Sequence, residues 1–374
     1  MSNRVSKWVL GAAAVGTLLS VVGCGAANTA NNAANNATGA AAQGGANTIQ
    51  ETGSSLLYPL FNGQWVPAYK SVDPKLNIIS ASTGSGAGIS QAIAGQVQIG
   101  ASDAYMADAQ MASNSAMVNI PLAISAQQIM YNVPGVPASQ HLKLSGDVLA
   151  QIYMGKITNW NDAKIKALNP GVTLPNKPIV VVRRSDGSGD TFLFTQFLSD
   201  TSSAWKSGPA FGTSVSWPTV ASEIGGKGNE GVVQDLVSNK YSIGYVGISW
   251  LDKASSQGLG YAALQNQAKN FVLPTEQTIQ SAANTMISKV PADERISLIY
   301  APGSNSYPII NFEYAIVNTK QPSADVANNL KKFLNWAIDP TKGNSSKYLK
   351  PVHFLPLPGS IEPKSAAQIN KISG

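Results

Sequence analysis

Cysteine and histidine are nearly absent from this chain: its 374 residues include one Cys and two His, and only 12% are charged. One cysteine cannot close an internal disulfide. One Cys and two His also cannot supply the three or four such ligands of a Cys/His zinc site. The formal net charge of +6 is small for the length, and Arg4 and Lys7 contribute two of it, leaving +4 from Cys24 onward. No Lys/Arg run exceeds two residues, so no nucleic-acid partner and no polybasic membrane surface is expected.

Several enzyme signatures are missing too. There is no Gly-x-Ser-x-Gly elbow, and neither Gly155-Lys156 nor Gly226-Lys227 is followed by the Ser or Thr of a phosphate-binding P-loop. A catalytic triad would need His141 or His353, and neither adjoins a Ser-containing glycine loop in sequence. Gly226-Lys227-Gly228-Asn229-Glu230-Gly231 matches G-x-G-x-x-G, but Ala221-Ser222-Glu223 before it is a poor buried strand. That stretch is expected to be a turn opening a helix near Val232. No catalytic residue, cofactor or metal is expected.

What is present begins with an address. Met1 to Lys7 carry two positive side chains, and Trp8 to Val22 form an apolar run that ends in small residues before Cys24. The run falls short of the roughly twenty residues of a membrane span and suits a signal-peptide core. Residues 1–23 are therefore expected to be a signal peptide. From Gly25 to Asn47 the composition narrows to Ala, Asn, Gly, Thr and Gln. Such a segment cannot bury enough surface to offset its ordering entropy, so 24–47 is expected to be a flexible tether.

From Thr48 onward, short apolar runs alternate with Gly/Ser loops and helical periodicity. Leu76, Ile78 and Ile79 suggest a strand, Ile89 to Ala94 a helix stopped at Gly95, and Val97 to Ala101 a second strand ending at Ser102-Asp103. Ser145 is placed as the N-cap of a helix running to Met154, with Gly155 past its end. Ile179 to Val182 is a β-branched run of the kind buried on both faces of a sheet. Phe192 to Leu198 has helical spacing, and Val326, Leu330, Phe333, Leu334 and Ala337 lie on one helical stripe. Alternating strands and helices imply an α/β architecture with ligands at the carboxyl ends of the strands.

Three Ser/Gly loops each open a helix: Gly53-Ser54-Ser55-Leu56, Gly84-Ser85-Gly86, and Asp186-Gly187-Ser188-Gly189-Asp190. Backbone N–H groups at a helix N-terminus beside a Ser hydroxyl can hold an anion without bulk positive charge. The same pattern also serves as a simple N-cap. Three in one chain, the third beside Arg184, favour an anion site.

The order of these blocks resembles one family. Gly53-Ser54-Ser55-Leu56-Leu57-Tyr58-Pro59, Gly84-Ser85-Gly86-Ala87-Gly88, Gly100-Ala101-Ser102-Asp103, Ile152 to Trp160, Arg184 to Phe192, Gly225 to Gly231 and Ile243-Gly244-Tyr245-Val246 are similar to the phosphate-binding protein of the phosphate ABC transporter, the PstS family. The resemblance implies a two-lobed, type II periplasmic-binding-protein fold with the ligand cleft between the lobes. Lobe I would be 48–124 plus 308–374 and lobe II 125–307, the chain crossing near Ile124 and Pro308. Val21-Val22-Gly23-Cys24 resembles a lipobox, which makes Cys24 the lipid attachment point on the outer face of the cell membrane.

Carried over by position, the family pattern implies phosphate contacts from Ser55, the Leu56 backbone, Ser85 and Asp103 on the first lobe. Arg184, Ser188, Gly189 and Asp190 would come from the second, with Asp186 orienting Arg184. Asp190 stands where the commoner form has Thr. The implied partners are inorganic phosphate, permease subunits of an ABC importer and the membrane through the lipid, with the protein itself a monomer. An ionised carboxylate only accepts hydrogen bonds, so Asp103 would accept the proton of phosphate and face fully deprotonated sulfate unpaired. The alternatives left open are another tetrahedral oxyanion, an exported phosphatase using Ser85 or Ser188, and a surface adhesin on the same fold.

Overall fold

The computed structural model describes residues 45–374. The expected signal peptide, Cys24 and all but 45–47 of the expected tether lie outside the described residues. Residues 45–47 join the body through main-chain bonds from Thr48 to Gly45 and from Asn77 to Asn47.

Among the described residues, twelve strands form in chain order: β1 (Thr48–Gly53), β2 (Asn77–Ser82), β3 (Ile99–Ser102), β4 (Met117–Asn132), β5 (Lys143–Leu144), β6 (Val180–Arg184), β7 (Glu223–Gly226), β8 (Ser242–Gly247), β9 (Gly260–Tyr261), β10 (Ala263–Gln265), β11 (Phe271–Val272) and β12 (Ile310–Asn318). The main sheet runs β2-β1-β3-β12-β4-β8-β6-β7, with β9 added on β4; β11, β10 and β5 make a small separate sheet. Strands β2, β1 and β3 pair in parallel, as do β8, β6 and β7. Two antiparallel strands, β12 and β4, join these parallel triads. Strand β4 pairs with β12 up to Ala126 and with β8 from Gln127 onward, so one sixteen-residue strand belongs to both halves.

Local sequence accounts for most elements. The β-branched run of β6 lies between two strands and is largely buried, and Ser145 caps Gly146–Tyr153 by accepting from the Val148 N–H at 3.3 Å. The helical stripe from Val326 to Ala337 is buried in Ala324–Ile338, where Phe333 and Trp336 meet Phe61, Trp65 and Tyr69 at centroid distances of 5.1 to 6.5 Å. Edge-to-face aromatics of this kind each bury some 150–250 Å², worth about 4–6 kcal/mol at roughly 25 cal/mol per Å². A second cluster, Tyr153, Phe194, Trp217 and Tyr245, packs behind β6 and β8.

One expectation fails. The helix expected near Val232 starts at Gly228, four residues earlier, and the segment judged a poor strand leads into β7. Strand β7 lies at the sheet edge, where only one neighbour and partial burial are required, so it needs no continuous apolar run. No helix among the described residues is long and apolar enough to cross a membrane.

Candidate functional site

The parallel triads end on one line of loops. Ser54 and Ser55 follow β1, Ser85 follows β2, and Asp103 follows β3. From the other triad, Arg184 ends β6, Asn229 follows β7, and the Gly189–Thr201 helix begins just after β6. Each loop also opens a helix, so main-chain donors of Ser85–Ile93, Gly189–Thr201 and Gly228–Ser238 gather at the carboxyl ends of the strands. Gly84 makes the tight entry possible. Its φ is +93°, and a Cβ there would meet Asp186 Oδ2 at 2.4 Å and the Gly187 carbonyl at 2.6 Å.

The loops of the two triads touch. The Gly86 N–H donates to the Gly187 carbonyl at 2.9 Å, and the Ser55 hydroxyl accepts from the Asn229 N–H at 3.0 Å and from Asn229 Nδ2 at 2.9 Å. Gly189 sits so close to the residues after β2 and β3 that a Cβ would lie 2.3 Å from Asp103 Oδ2 and 2.5 Å from Ser85 Oγ.

Asp103 is 2% exposed. Ser54 Oγ donates to its Oδ1, Ser85 Oγ to its Oδ2 at 3.3 Å, and the Asp103 N–H to Ser85 Oγ at 3.2 Å. Burial, followed by the charge of Asp190, pushes the Asp103 carboxyl up to about 7. Arg184 is held by two carboxylates: Nε donates to Asp186 Oδ1 and Nη1 to Asp190 Oδ2, both at 2.8 Å. Burial works against its charge, but Asp186 and Asp190 outweigh that and raise its pKa. Asp190 is fully buried and well supplied with donors, accepting from Arg184, from Asn229 Nδ2 at 2.7 Å and from Gln127 Nε2 at 3.0 Å. Burial still lifts its pKa above the ordinary value. Asp186 is also penalised by burial, but Arg184 and the Gly228 N–H hold its carboxyl below the usual range.

The structure thus brings together Ser55, Ser85, Asp103, Arg184, Asp186, Gly189 and Asp190. Ser188 is buried with them but serves as an N-cap, its hydroxyl accepting from the Thr191 N–H at 3.2 Å. The Leu56 N–H is directed at Ser54 Oγ, 3.1 Å away. Three participants escape the sequence reading: Ser54, which rather than Ser55 bonds Asp103, and Asn229 and Gln127, which serve Asp190. The polar pair Gln127-Gln128 inside the apolar run of β4 was the available signal for Gln127. The histidines lie elsewhere: His141 Nδ1 bonds the Tyr261 carbonyl, and His353 Nε2 is 3.0 Å from Asp252 Oδ1.

Two parallel triads joined by crossing strands, with helix N-termini facing each other at their carboxyl ends, define the two-lobed periplasmic-binding-protein class. Solved structures agree on the fold. A phosphate-binding protein from Stenotrophomonas maltophilia superposes with a TM-score of 0.68 at 19% identity, covering 86% of this chain and 93% of that one. A periplasmic phosphate-binding protein (PfluDING) bound with phosphate gives 0.67 at 20% identity over the same shares. A family model described as a PBP superfamily domain matches residues 37–341.

Curated relatives are closer in sequence. A phosphate-binding protein PstS of Pasteurella multocida is 36% identical over 86% of this chain and 90% of its own length. Phosphate-binding protein PstS 3 of Mycobacterium leprae is 31% identical over 97% of this chain and 98% of its own length. The chain belongs to the PstS family of phosphate-binding proteins, within the PBP superfamily.

Proposed function

We propose that this protein binds inorganic phosphate outside the cytoplasm and delivers it to the permease of an ABC importer. The observation that carries this reading is Asp103, a buried carboxyl that when ionised can only accept, set among Ser hydroxyls and helix N-termini, 2.3 Å from where a Gly189 Cβ would lie. A site that placed three aspartates around one arginine would repel a fully ionised anion. A ligand that brings its own proton turns Asp103 from a repelling charge into a hydrogen-bond acceptor. Phosphate near neutral pH brings one or two protons; sulfate brings none.

On this reading Ser55, the Leu56 N–H, Ser85 and Asp103 contact phosphate from lobe I, formed by 48–124 and 308–374. Arg184, Ser188, Gly189 and Asp190 contact it from lobe II, 125–307, with Asp186 fixing the guanidinium plane. The switch of β4 between pairing partners at Ala126 and Gln127 supports a boundary there. The contacts Ser55–Asn229 and Gly86–Gly187 belong to the closed cleft that a permease would recognise. The protein is a carrier and not an enzyme, works as a monomer, and is exported by residues 1–23 and lipid-anchored at Cys24.

Isothermal calorimetry with phosphate, arsenate, sulfate and molybdate tests the reading. Phosphate and its protonated analogue arsenate should bind, and sulfate should not. Sulfate binding as tightly as phosphate, or no binding of phosphate, would overturn it.

A further inference from the structure

Behind Asp103 lies a second buried carboxyl. Glu313 sits on β12 where the pairing with β4 shifts register: Glu313 faces Ala123 and Tyr314 faces Pro121, leaving Leu122 as an extra residue. Such a bulge re-aims the side chains beside it. Glu313 is fully buried and stands opposite Asp103, one step past the antiparallel β12–β3 pair Tyr314–Ser102, and Asn311 Nδ2 also donates to the Asp103 carbonyl at 3.3 Å. Its Oε1 accepts from Asn311 Nδ2 at 3.0 Å and is 2.5 Å from Ser125 Oγ. Ser125 has one proton to give and also faces Asn311 Oδ1 at 2.7 Å. No donor is placed against Glu313 Oε2.

Two ionised carboxylates side by side on neighbouring strands and out of water would repel each other, so one of them carries a proton. The groups facing the pair decide which one. Asp103 has the Ser54 and Ser85 hydroxyls as donors and Arg184 as the nearby cation, with Asp190 as an opposing charge. Glu313 has only neutral neighbours, Ser125 from β4 and Asn311 from its own strand, besides Asp103 itself. The ionised form is better supported on Asp103.

We propose that Glu313 is a positioning residue that sets the specificity of the site: protonated, it donates a hydrogen bond to Asp103 and keeps that carboxylate an acceptor for the ligand's proton. Burial and then the neighbouring Asp103 hold the Glu313 pKa well above the usual carboxylate range, in keeping with a neutral acid. This rests on the phosphate reading of Asp103.

The test compares wild type with Glu313→Gln, which keeps a donor, and Glu313→Leu, which keeps bulk without one. Phosphate and sulfate are titrated calorimetrically between about pH 5 and about pH 9. Glu313→Gln should retain phosphate affinity within about threefold and still reject sulfate. Glu313→Leu should lose roughly tenfold or more, and the acid limb of its binding profile should move up by about one pH unit. Equal losses in both variants, or a Leu profile with no shift, would overturn the proposal.

Infrared difference spectra of wild type minus Glu313→Gln supply a readout independent of ligand. They should contain the carbonyl stretch of a protonated carboxylic acid, and its absence also overturns the proposal, including where Glu313→Leu does not fold. Wild type that binds no phosphate defeats the phosphate reading instead, while the infrared band still reports the Glu313 proton.

Discussion

Asn229 and Ser55 are joined twice: the Asn229 N–H and its Nδ2 both donate to the Ser55 hydroxyl, at 3.0 and 2.9 Å. Ser55 follows β1, second from one end of the main sheet's strand order, and Asn229 follows β7 at the other end, so this pair ties the two halves at the proposed cleft. The same Nδ2 reaches Asp190 Oδ2 at 2.7 Å, and Asn229 Oδ1 accepts from the Gly247 N–H at 2.8 Å. One buried amide therefore serves both the closure contact and a site carboxylate.

Asn229→Ala should weaken phosphate binding by about tenfold or more and lower stability by roughly 2–3 kcal/mol, because a buried charge and a main-chain N–H each lose a partner. Calorimetry and urea unfolding check the two effects separately. An unchanged phosphate affinity would mean that the Ser55 tie contributes nothing to the ligand-bound state.

Gly189→Ala tests the close approach of the lobes. Its methyl would sit 2.3 Å from Asp103 Oδ2 and 2.5 Å from Ser85 Oγ, and neither is the end of a long flexible chain. Alanine is a good helix former at the start of Gly189–Thr201, so the second lobe should fold as before. The expected outcome is a folded protein with phosphate affinity reduced by a hundredfold or more, on the order of 3 kcal/mol. Small-angle scattering should show it remaining extended when phosphate is added, and wild-type compaction in the variant would contradict this.

Asp103→Asn tests the acceptor argument. The new amide could still accept from Ser54 through its oxygen, but its NH₂ would turn a donor toward the ligand. Phosphate binding should weaken by roughly ten- to a hundredfold, the worth of a hydrogen bond to a charged group, and sulfate should gain relative to phosphate. Calorimetry showing intact phosphate binding with sulfate still rejected would defeat the argument.

Sequence reading reached what local chemistry dictates. The Ser145 cap, the β6 run and the buried stripe of Ala324–Ile338 each follow from residues within a few positions of one another. Resemblance supplied Asp103, Arg184 and Asp190, which the structure gathers at one place. Asn229 and Ser54 were missed because their roles depend on partners far along the chain: Ser55 is 174 residues from Asn229, and Asp103 is 49 from Ser54. Glu313 is a stronger case, since a bulge in β4 opposite it sets where its carboxyl goes and no periodicity announces a bulge.

Glu51 offers a test of stability separate from ligand binding. It lies on β1, 2% exposed, accepting from Ser80 Oγ, and burial pushes its carboxyl from 4.5 up to about 8 despite the Ser80 and Ala81 bonds that favour ionisation. Between those values the folded chain keeps a proton that the unfolded chain has released. Its contribution is therefore full below about pH 4.5 and is lost as pH rises toward 8, at up to about 1.4 kcal/mol per pH unit. Glu51→Gln cannot ionise and so escapes this loss, while the other buried carboxyls, Asp103 and Glu313 among them, titrate alike in both proteins. Urea unfolding at about pH 5 and about pH 8 should show the variant losing less stability than wild type over the interval, by on the order of 1–3 kcal/mol. The same pH dependence in both would mean that Glu51 is ionised in the folded protein, with solvent or a cation reaching a carboxyl that the packing of β1 encloses.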